Sequence, residues 1–421
     1  MLLQDTVRRQ AVERPDATAV VSQDCHVSYG QLDHWSTQIA RLLLNCGCRP
    51  GDRVGLLLPK SIAAITGLLG VLKAGGIYVP MDTRSPLARL RKIVDSCEPT
   101  FILAAGEGSK LLEELCLNQP RTPAFSIGWL DAEDPRPRLL VGAFCWSDLH
   151  SVSADPLEHL VCENDPAHIL FTSGSTGTPK GVIITHANVS HFLRWATEYF
   201  GIGPADRNSS HAPLHFDLST FDIYGTFLAG AELHLVPAES SLLPHKLAEF
   251  IRTSSLTQWF SVPSALKFMA QFDTVQPGDF PALKRVMWCG EALPTPTLMY
   301  WMQRLPKVQF TNLYGPTETT IASSYYTVAH TPTTDMESIP IGIGCEGEQL
   351  AVLDESLEPV PPGQTGDLYI SGSGLSPGYW NDPQKTASVF RTAHDGTRVY
   401  KTGDLAHTGP DGVFYLLGRS D

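Results

Sequence analysis

Ten consecutive residues, Thr172, Ser173, Gly174, Ser175, Thr176, Gly177, Thr178, Pro179, Lys180 and Gly181, carry the densest chemical signal in the chain. The three glycines open backbone conformations closed to other residues. Hydroxyls and free N–H groups can cradle phosphoryl oxygens, and Lys180 adds a point charge. A solvated surface turn would not be expected to collect so many such residues without one acid. The Walker spacing is not met: counted from Gly174, the place of Gly-Lys-Ser/Thr is held by Pro179, Lys180 and Gly181. The chemistry implied is the binding of a nucleotide's phosphates by a loop of another kind.

The elements that must hold this loop can be read around it. A chain of 421 residues is too long for one ordinary domain, and 43% hydrophobic residues supply a sizeable core. Residues 29–44 place apolar side chains at helical spacing, closed by Asn45 and Gly47. Residues 53–58 form a short apolar run, Ser61 is placed to cap a helix over 62–73, and Gly75–Gly76 end it before a strand at 77–79. Strand, helix, strand with short loops is the grammar of a doubly wound α/β sheet. Residues 118–138, rich in Pro, Arg and Asp, read as a loop or insertion. The pattern resumes with a strand at 168–172, the Gly/Ser/Thr loop and a helix over 186–200. Beyond about residue 339, short β-rich segments (349–353, 366–371, 412–417) lie between Gly/Pro turns.

Composition narrows the class. With 31 basic against 44 acidic residues the net charge is −13, which disfavours nucleic acid or an anionic membrane as partner. The apolar run 61–72 stops at Lys73, short of the roughly 18 residues a membrane span needs. The first residues lack the apolar stretch of a signal peptide. Nine cysteines without a CxxC pair read as reduced thiols of a cytoplasmic protein, and Cys46 with Cys48 lacks the companions of a zinc set.

The ten-residue loop is similar to the phosphate loop of the adenylate-forming enzymes, which include acyl- and aryl-CoA synthetases, luciferases and the adenylation domains of nonribosomal peptide synthetases. Other motifs of that family follow in order: LKAGGIYVPMD (72–82), HFDLS (215–219), NLYGPTE (312–318), GDLYISGSGLSPGYW (366–380), YKTGDL (400–405) and LGRSD (417–421). The LKAG-YVP and YGPTE forms resemble amino-acid-activating members more than CoA ligases. The resemblance implies an α/β fold over 1–421, with two doubly wound lobes over about 1–338 and a small β-barrel-like subdomain over about 339–417. Residues 418–421 would form the hinge to a C-terminal lid. A chain that stops there is expected to bind both substrates but to adenylate poorly.

The resemblance also implies roles. Thr172, Ser173, Gly174, Ser175, Thr176, Gly177 and Lys180 would hold the phosphates, with Thr172, Lys180 and Glu318 at the chemistry and Glu318 on Mg2+. Tyr314 would stack on adenine, Gly290, Glu291 and Ala292 would run along it, and Asn312, Gly315 and Thr317 would complete that side. Asp404 would accept the ribose hydroxyls and Arg419 would reach ribose or phosphate; Leu416 stands where the family commonly has Tyr. Asp217 would pair with a substrate α-ammonium, while His215 is read as a packing residue because the substrate carboxylate needs no base. The pocket positions hold Asp217, Leu218, Phe221, Phe260, Met287, Cys289, Leu313, Ile321 and Ala322. Apart from Asp217 none is charged or a strong hydrogen-bonding group, so a small apolar amino acid is expected, proline first and alanine or another aliphatic next. ATP and Mg2+ are the implied cofactors, and a carrier protein with a phosphopantetheine arm is the implied partner. The alternatives are an acyl- or aryl-CoA ligase of the same superfamily and a non-catalytic nucleotide-binding protein of this fold.

Overall fold

Local chemistry starts the first long helices where the spacing predicts. The Ser28 hydroxyl accepts the Gln31 N–H while the Gln31 side chain takes the Ser28 N–H, a capping box, and helix Tyr29–Asn45 follows. Ser61 accepts the Ala64 N–H and opens helix Ile62–Lys73. The structure is a computed structural model that describes residues 1–117, 125–131, 143–173 and 177–420. Its chain divides into two compact units. The first is Met1–Ser190 with Pro213–Phe216 and Tyr379–Asn381; the second is His191–Ala212 with Asp217–Gly378 and Asp382–Asp421.

The first unit is built on a seven-stranded sheet in the order Phe144–Cys145, Ser126–Trp129, Phe101–Ala104, Arg53–Leu57, Ile77–Pro80, Pro166–Thr172, Lys180–Thr185. Every neighbouring pair is parallel except the last, which is antiparallel. Both faces are covered. Ile102 and Ala104 pack with Leu90, Ile93 and Val94 of helix Leu87–Cys97, whereas Leu103 lies on the other face against Gly67 of helix Ile62–Lys73. Two strands depart from the sequence reading. Residues 118–138 were expected as a loop, yet Ser126–Trp129 is a buried parallel strand; 118–124 and 132–138 lie outside the described residues. The strand Lys180–Thr185 was not foreseen either, because a six-residue run beside a Gly/Ser/Thr loop has no distinct period.

The second unit holds strands in the order Ile343–Gly344, Ser324–Thr327, Gln309–Tyr314, Arg285–Trp288, Gln258–Ser261, Arg207–Ser210, Glu232–Leu235. Trp259, Val286, Trp288 and Phe310 face a core shared with Leu247, Leu266, Leu298 and Trp301 of three helices. A second sheet, fully antiparallel, joins Glu348–Leu353, Gly366–Gly372, Arg398–Thr408, Phe390–Thr392 and Phe414–Arg419. The last strand starts two residues later than the 412–417 reading. Among the described residues no helix is long and apolar enough to cross a membrane.

Candidate active site

In the first unit the ten-residue loop connects two antiparallel strands, so Thr172 and Lys180 are cross-strand partners at its two ends. The Lys180 Nζ donates to the Tyr379 hydroxyl at 3.1 Å and lies 4.9 Å from that ring's centroid. Tyr379 is held there by its bridge to Val182 and by the Trp380 N–H on the Gly181 carbonyl. Thr172 Oγ1 is buried and has no hydrogen-bond partner among the described residues. Such a hydroxyl at a loop mouth can serve a phosphoryl oxygen. Ser173 is exposed, and the Gly177 carbonyl accepts from Lys92 Nζ at 3.1 Å. Gly174, Ser175 and Thr176 lie outside the described residues. Tyr379 belongs to the GYW motif but had no role in the sequence reading; its link to Lys180 spans 199 residues of chain.

In the second unit strand alternation decides which side chains meet. Phe260 and Met287 are register partners, Met287 pairs with Thr311, and Cys289 and Leu313 lie two residues further along. Period-two alternation therefore places Phe260, Met287, Cys289 and Leu313 on one face, opposite the tryptophan core. Phe221 meets Phe260 edge to face at 5.6 Å, and Phe192 meets Phe221 at 5.4 Å. Trp195 packs 5.6 Å from Phe192. The helix His186–Tyr199 thus backs the aromatic wall, a contribution that no motif announced. Phe221 opens a single π-type turn, Phe221–Gly225, a distortion frequent at functional sites. The Cys289 thiol donates to the Ile321 carbonyl at 3.7 Å. Leu218, Ile321 and Ala322 are also buried.

Asp217 is 8% exposed and accepts the Thr317 hydroxyl at 2.9 Å. Burial pushes its carboxyl up to about 6; the Thr317 and Leu218 hydrogen bonds oppose this, and the Glu318 charge adds to it. No basic side chain among the described residues pairs with it. The Cys289 thiol is raised by burial and by the Asp217 charge, so it stays a neutral wall group. Glu318, on the turn Thr317–Thr319, is 4% exposed. Two buried acids influencing each other make a site that gains from incoming positive charge.

The expected nucleotide residues form a second group in this unit. The Tyr314 hydroxyl donates to Asp404 Oδ2 at 2.5 Å, while Arg419 Nη1 reaches Asp404 Oδ1 at 3.3 Å and the Thr402 carbonyl at 3.2 Å. Burial and the Asp404 carboxylate hold the Tyr314 phenol well above its usual range, so it remains a donor. Asp404 and Arg419 are cross-strand partners. A carboxylate has about four acceptor positions, so Asp404 still has capacity for sugar hydroxyls. Gly290, Glu291 and Ala292 are solvent-exposed. The Asn312 amide is turned to the Pro340 carbonyl at 2.7 Å. His215 is half-buried; burial lowers its imidazole, Asp82 opposes this and Arg89 reinforces it. Removing the hydroxyl in Tyr314→Phe deletes a charge-assisted bond. It is expected to cost about 1–2 kcal/mol, read as a lower unfolding midpoint with an unchanged denaturant slope.

The Gly/Ser/Thr loop of the first unit, and in the second the tyrosine–aspartate–arginine group and the buried Asp217 beside an apolar aromatic cluster, are the features expected of a nucleotide-dependent activating enzyme. The comparisons agree with that class. The family described as AMP-binding enzyme matches residues 7–380, and the chain belongs to it. It is 33% identical to a dimodular nonribosomal peptide synthase of Bacillus subtilis over 100% of this chain, and spans 17% of that protein's length. It is also 33% identical to an L-proline--[L-prolyl-carrier protein] ligase of Streptomyces coelicolor, covering 94% of this chain and 74% of that one. Among solved structures, the AMPPNP-bound form of the nonribosomal peptide synthetase FmoA3 matches with a TM-score of 0.88 at 30% identity. That match covers 100% of this chain and 43% of the other.

Proposed function

We propose that the chain is the core of an ATP-dependent enzyme that activates a small apolar amino acid, proline first, as its aminoacyl adenylate and delivers it to the phosphopantetheine thiol of a carrier protein. The observation that carries this reading is Asp217: a buried carboxylate, raised by burial, without a cationic partner among the described residues, at the head of an apolar aromatic pocket. An α-ammonium is the group that relieves it. An acyl or aryl acid would leave that charge uncompensated.

The reaction follows from charge and position. The amino-acid carboxylate oxygen attacks the α-phosphorus, the bond to the bridging oxygen of the β-phosphate breaks, and pyrophosphate leaves with the electron pair. Asp217 fixes the ammonium and the apolar wall fixes the side chain, so the carboxylate is presented without a general base. Lys180 and Thr172 stabilise charge moving onto the phosphates, Tyr314 and Asp404 hold the nucleoside, and Arg419 supports the ribose side. Glu318, a buried carboxylate whose charge is felt by Asp217, would hold Mg2+ together with substrate phosphates. That ion would neutralise the leaving pyrophosphate. Nine free cysteines fit the reading of a cytoplasmic enzyme.

Amino-acid-dependent ATP–pyrophosphate exchange by the full-length protein, run across all common amino acids, tests the reading. Proline is expected to give the highest rate and alanine a weak one, since it leaves a void beside Phe221 and Phe260. Pipecolate, one methylene larger, is expected to fall about 10–200-fold below proline. Glutamine, aspartate and lysine should be silent. A charged or amide amino acid that wins would overturn the pocket reading; valine or leucine in first place would overturn proline alone. Exchange driven by fatty or aryl acids would favour the CoA-ligase alternative.

A further inference from the structure

Glu348 is a buried acid that the reaction above leaves unused. It opens the strand Glu348–Leu353 at 8% exposure, and its Oε1 accepts the Gly374 N–H at 2.7 Å. Burial pushes its carboxyl up to about 7, opposed by that hydrogen bond. Space for the carboxyl exists because two neighbours lack side chains. A Cβ on Gly372, whose φ is 141°, would stand 2.6 Å from Oε2, and one on Gly374 would stand 3.0 Å from Oε1. The His191 imidazole bonds to the Glu346 carbonyl at 2.7 Å and lies 3.6 Å from Glu348 Oε1.

Gly374 passes this contact on. Its carbonyl accepts the Thr320 hydroxyl at 2.7 Å. Thr320 and the next residue, Ile321, have φ of 62° and 69°, a region that β-branched residues rarely enter. The Ala322 N–H turns back to the Thr320 carbonyl at 2.9 Å, closing a γ-turn centred on Ile321. On its other side the Ile321 carbonyl takes the Cys289 thiol. Strained backbone of this kind persists only where its surroundings over-determine it.

We propose that Glu348 is a positioning residue for amino-acid selection: acting through Gly374 and Thr320, it holds the strained turn that presents Ile321 and Ala322 to the substrate side chain. The inference rests on the amino-acid-pocket reading above. It assigns Glu348 no contact with either substrate. Loss of its acceptor loosens the pocket wall and leaves the Gly374 N–H buried and unpaired, while the Tyr314, Asp404 and Arg419 group keeps its own bonds.

The test compares Glu348→Ala, Glu348→Gln, Thr320→Val and the double Glu348→Ala/Thr320→Val variant in the full-length protein. The assay is ATP–pyrophosphate exchange with the amino acid that serves the wild type best. Glu348→Ala and Thr320→Val are each expected to raise the amino-acid KM about tenfold and the ATP KM less than about twofold. Glu348→Gln keeps an acceptor for Gly374 and should stay within about threefold of wild type. The double variant should be no worse than the worse single, since both cut one chain of contacts. Additive losses, equal rises in both KM values, or a Glu348→Gln variant that loses as much as Glu348→Ala would each overturn the proposal. Thr320→Val and Glu348→Gln carry the test if Glu348→Ala does not fold. A wild type that exchanges with no amino acid overturns the pocket reading and this inference together, whereas intact wild-type exchange with unmoved variants overturns this inference alone.

Discussion

Asp217→Ala is expected to abolish amino-acid-dependent exchange while ATP binding stays within a few-fold of wild type. The substrate ammonium would enter a pocket walled by Phe221, Phe260, Met287 and Leu313 with no counter-charge, and stripping one partner from a buried ion pair costs about 3–5 kcal/mol. At 1.36 kcal/mol per decade that is roughly two to four orders of magnitude in kcat/KM. Asp217→Asn separates binding from folding. It should lose exchange equally while folding at least as stably as wild type at pH 7, because a buried charge is removed and the Thr317 hydroxyl keeps an acceptor. The pH dependence has a definite sign. With its pKa raised from 3.8 to about 6, Asp217 binds a proton more tightly in the native state than in the unfolded one. Its contribution to stability is therefore largest below pH 4 and is lost as pH rises through 6. Amino-acid affinity runs the other way, falling below about pH 6 as the carboxylate is neutralised, with the ATP KM unmoved. Unchanged exchange in Asp217→Ala would remove the amino-acid reading.

Replacing Lys180 with Ala is the second large effect. The ammonium sits at the end of the Gly/Ser/Thr loop against the Tyr379 hydroxyl, on the first residue of the strand Lys180–Thr185, so under the proposed function it would be preorganised for nucleotide. Groups aimed at charge that develops in the transition state are worth about 10²–10³ in rate when removed singly. Lys180→Ala is accordingly expected to lower kcat about a hundredfold or more and to weaken ATP binding only a few-fold. Glu318→Ala should behave alike, and raised Mg2+ should recover part of its loss. Equilibrium ATP binding measured beside exchange kinetics decides the point. Equal losses in binding and rate would make both residues docking contacts only.

Much of this protein is local and therefore legible in the sequence. Ser28 and Ser61 are caps because a hydroxyl three residues ahead of a free N–H satisfies it, whatever the rest of the chain does. The helices Tyr29–Asn45 and Ile62–Lys73 follow from 3.6-residue spacing and their glycine stops. Where sequence reading failed, the local signal was weak or misleading. Ser126–Trp129 is four residues inside a polar stretch and is a strand because Phe101–Ala104 offers it a parallel edge. Lys180–Thr185 became a strand by pairing back on Pro166–Thr172.

Tertiary structure alone decided who touches whom. Tyr379 reaches Lys180 across 199 residues, Thr317 reaches Asp217 across 100, and Asp404 reaches Tyr314 across 90. No spacing in the chain encodes such distances; they are set by strand order and register, where a slip of one residue would turn Phe260 and Met287 into the tryptophan core. The same holds for Glu348, an unremarkable strand residue until Gly372 and Gly374 fold beside it and leave room for a carboxyl. Residue chemistry is carried by the sequence. The electrostatic state of Asp217 and Glu348 depends on burial, and burial exists only once the sheets have closed over them.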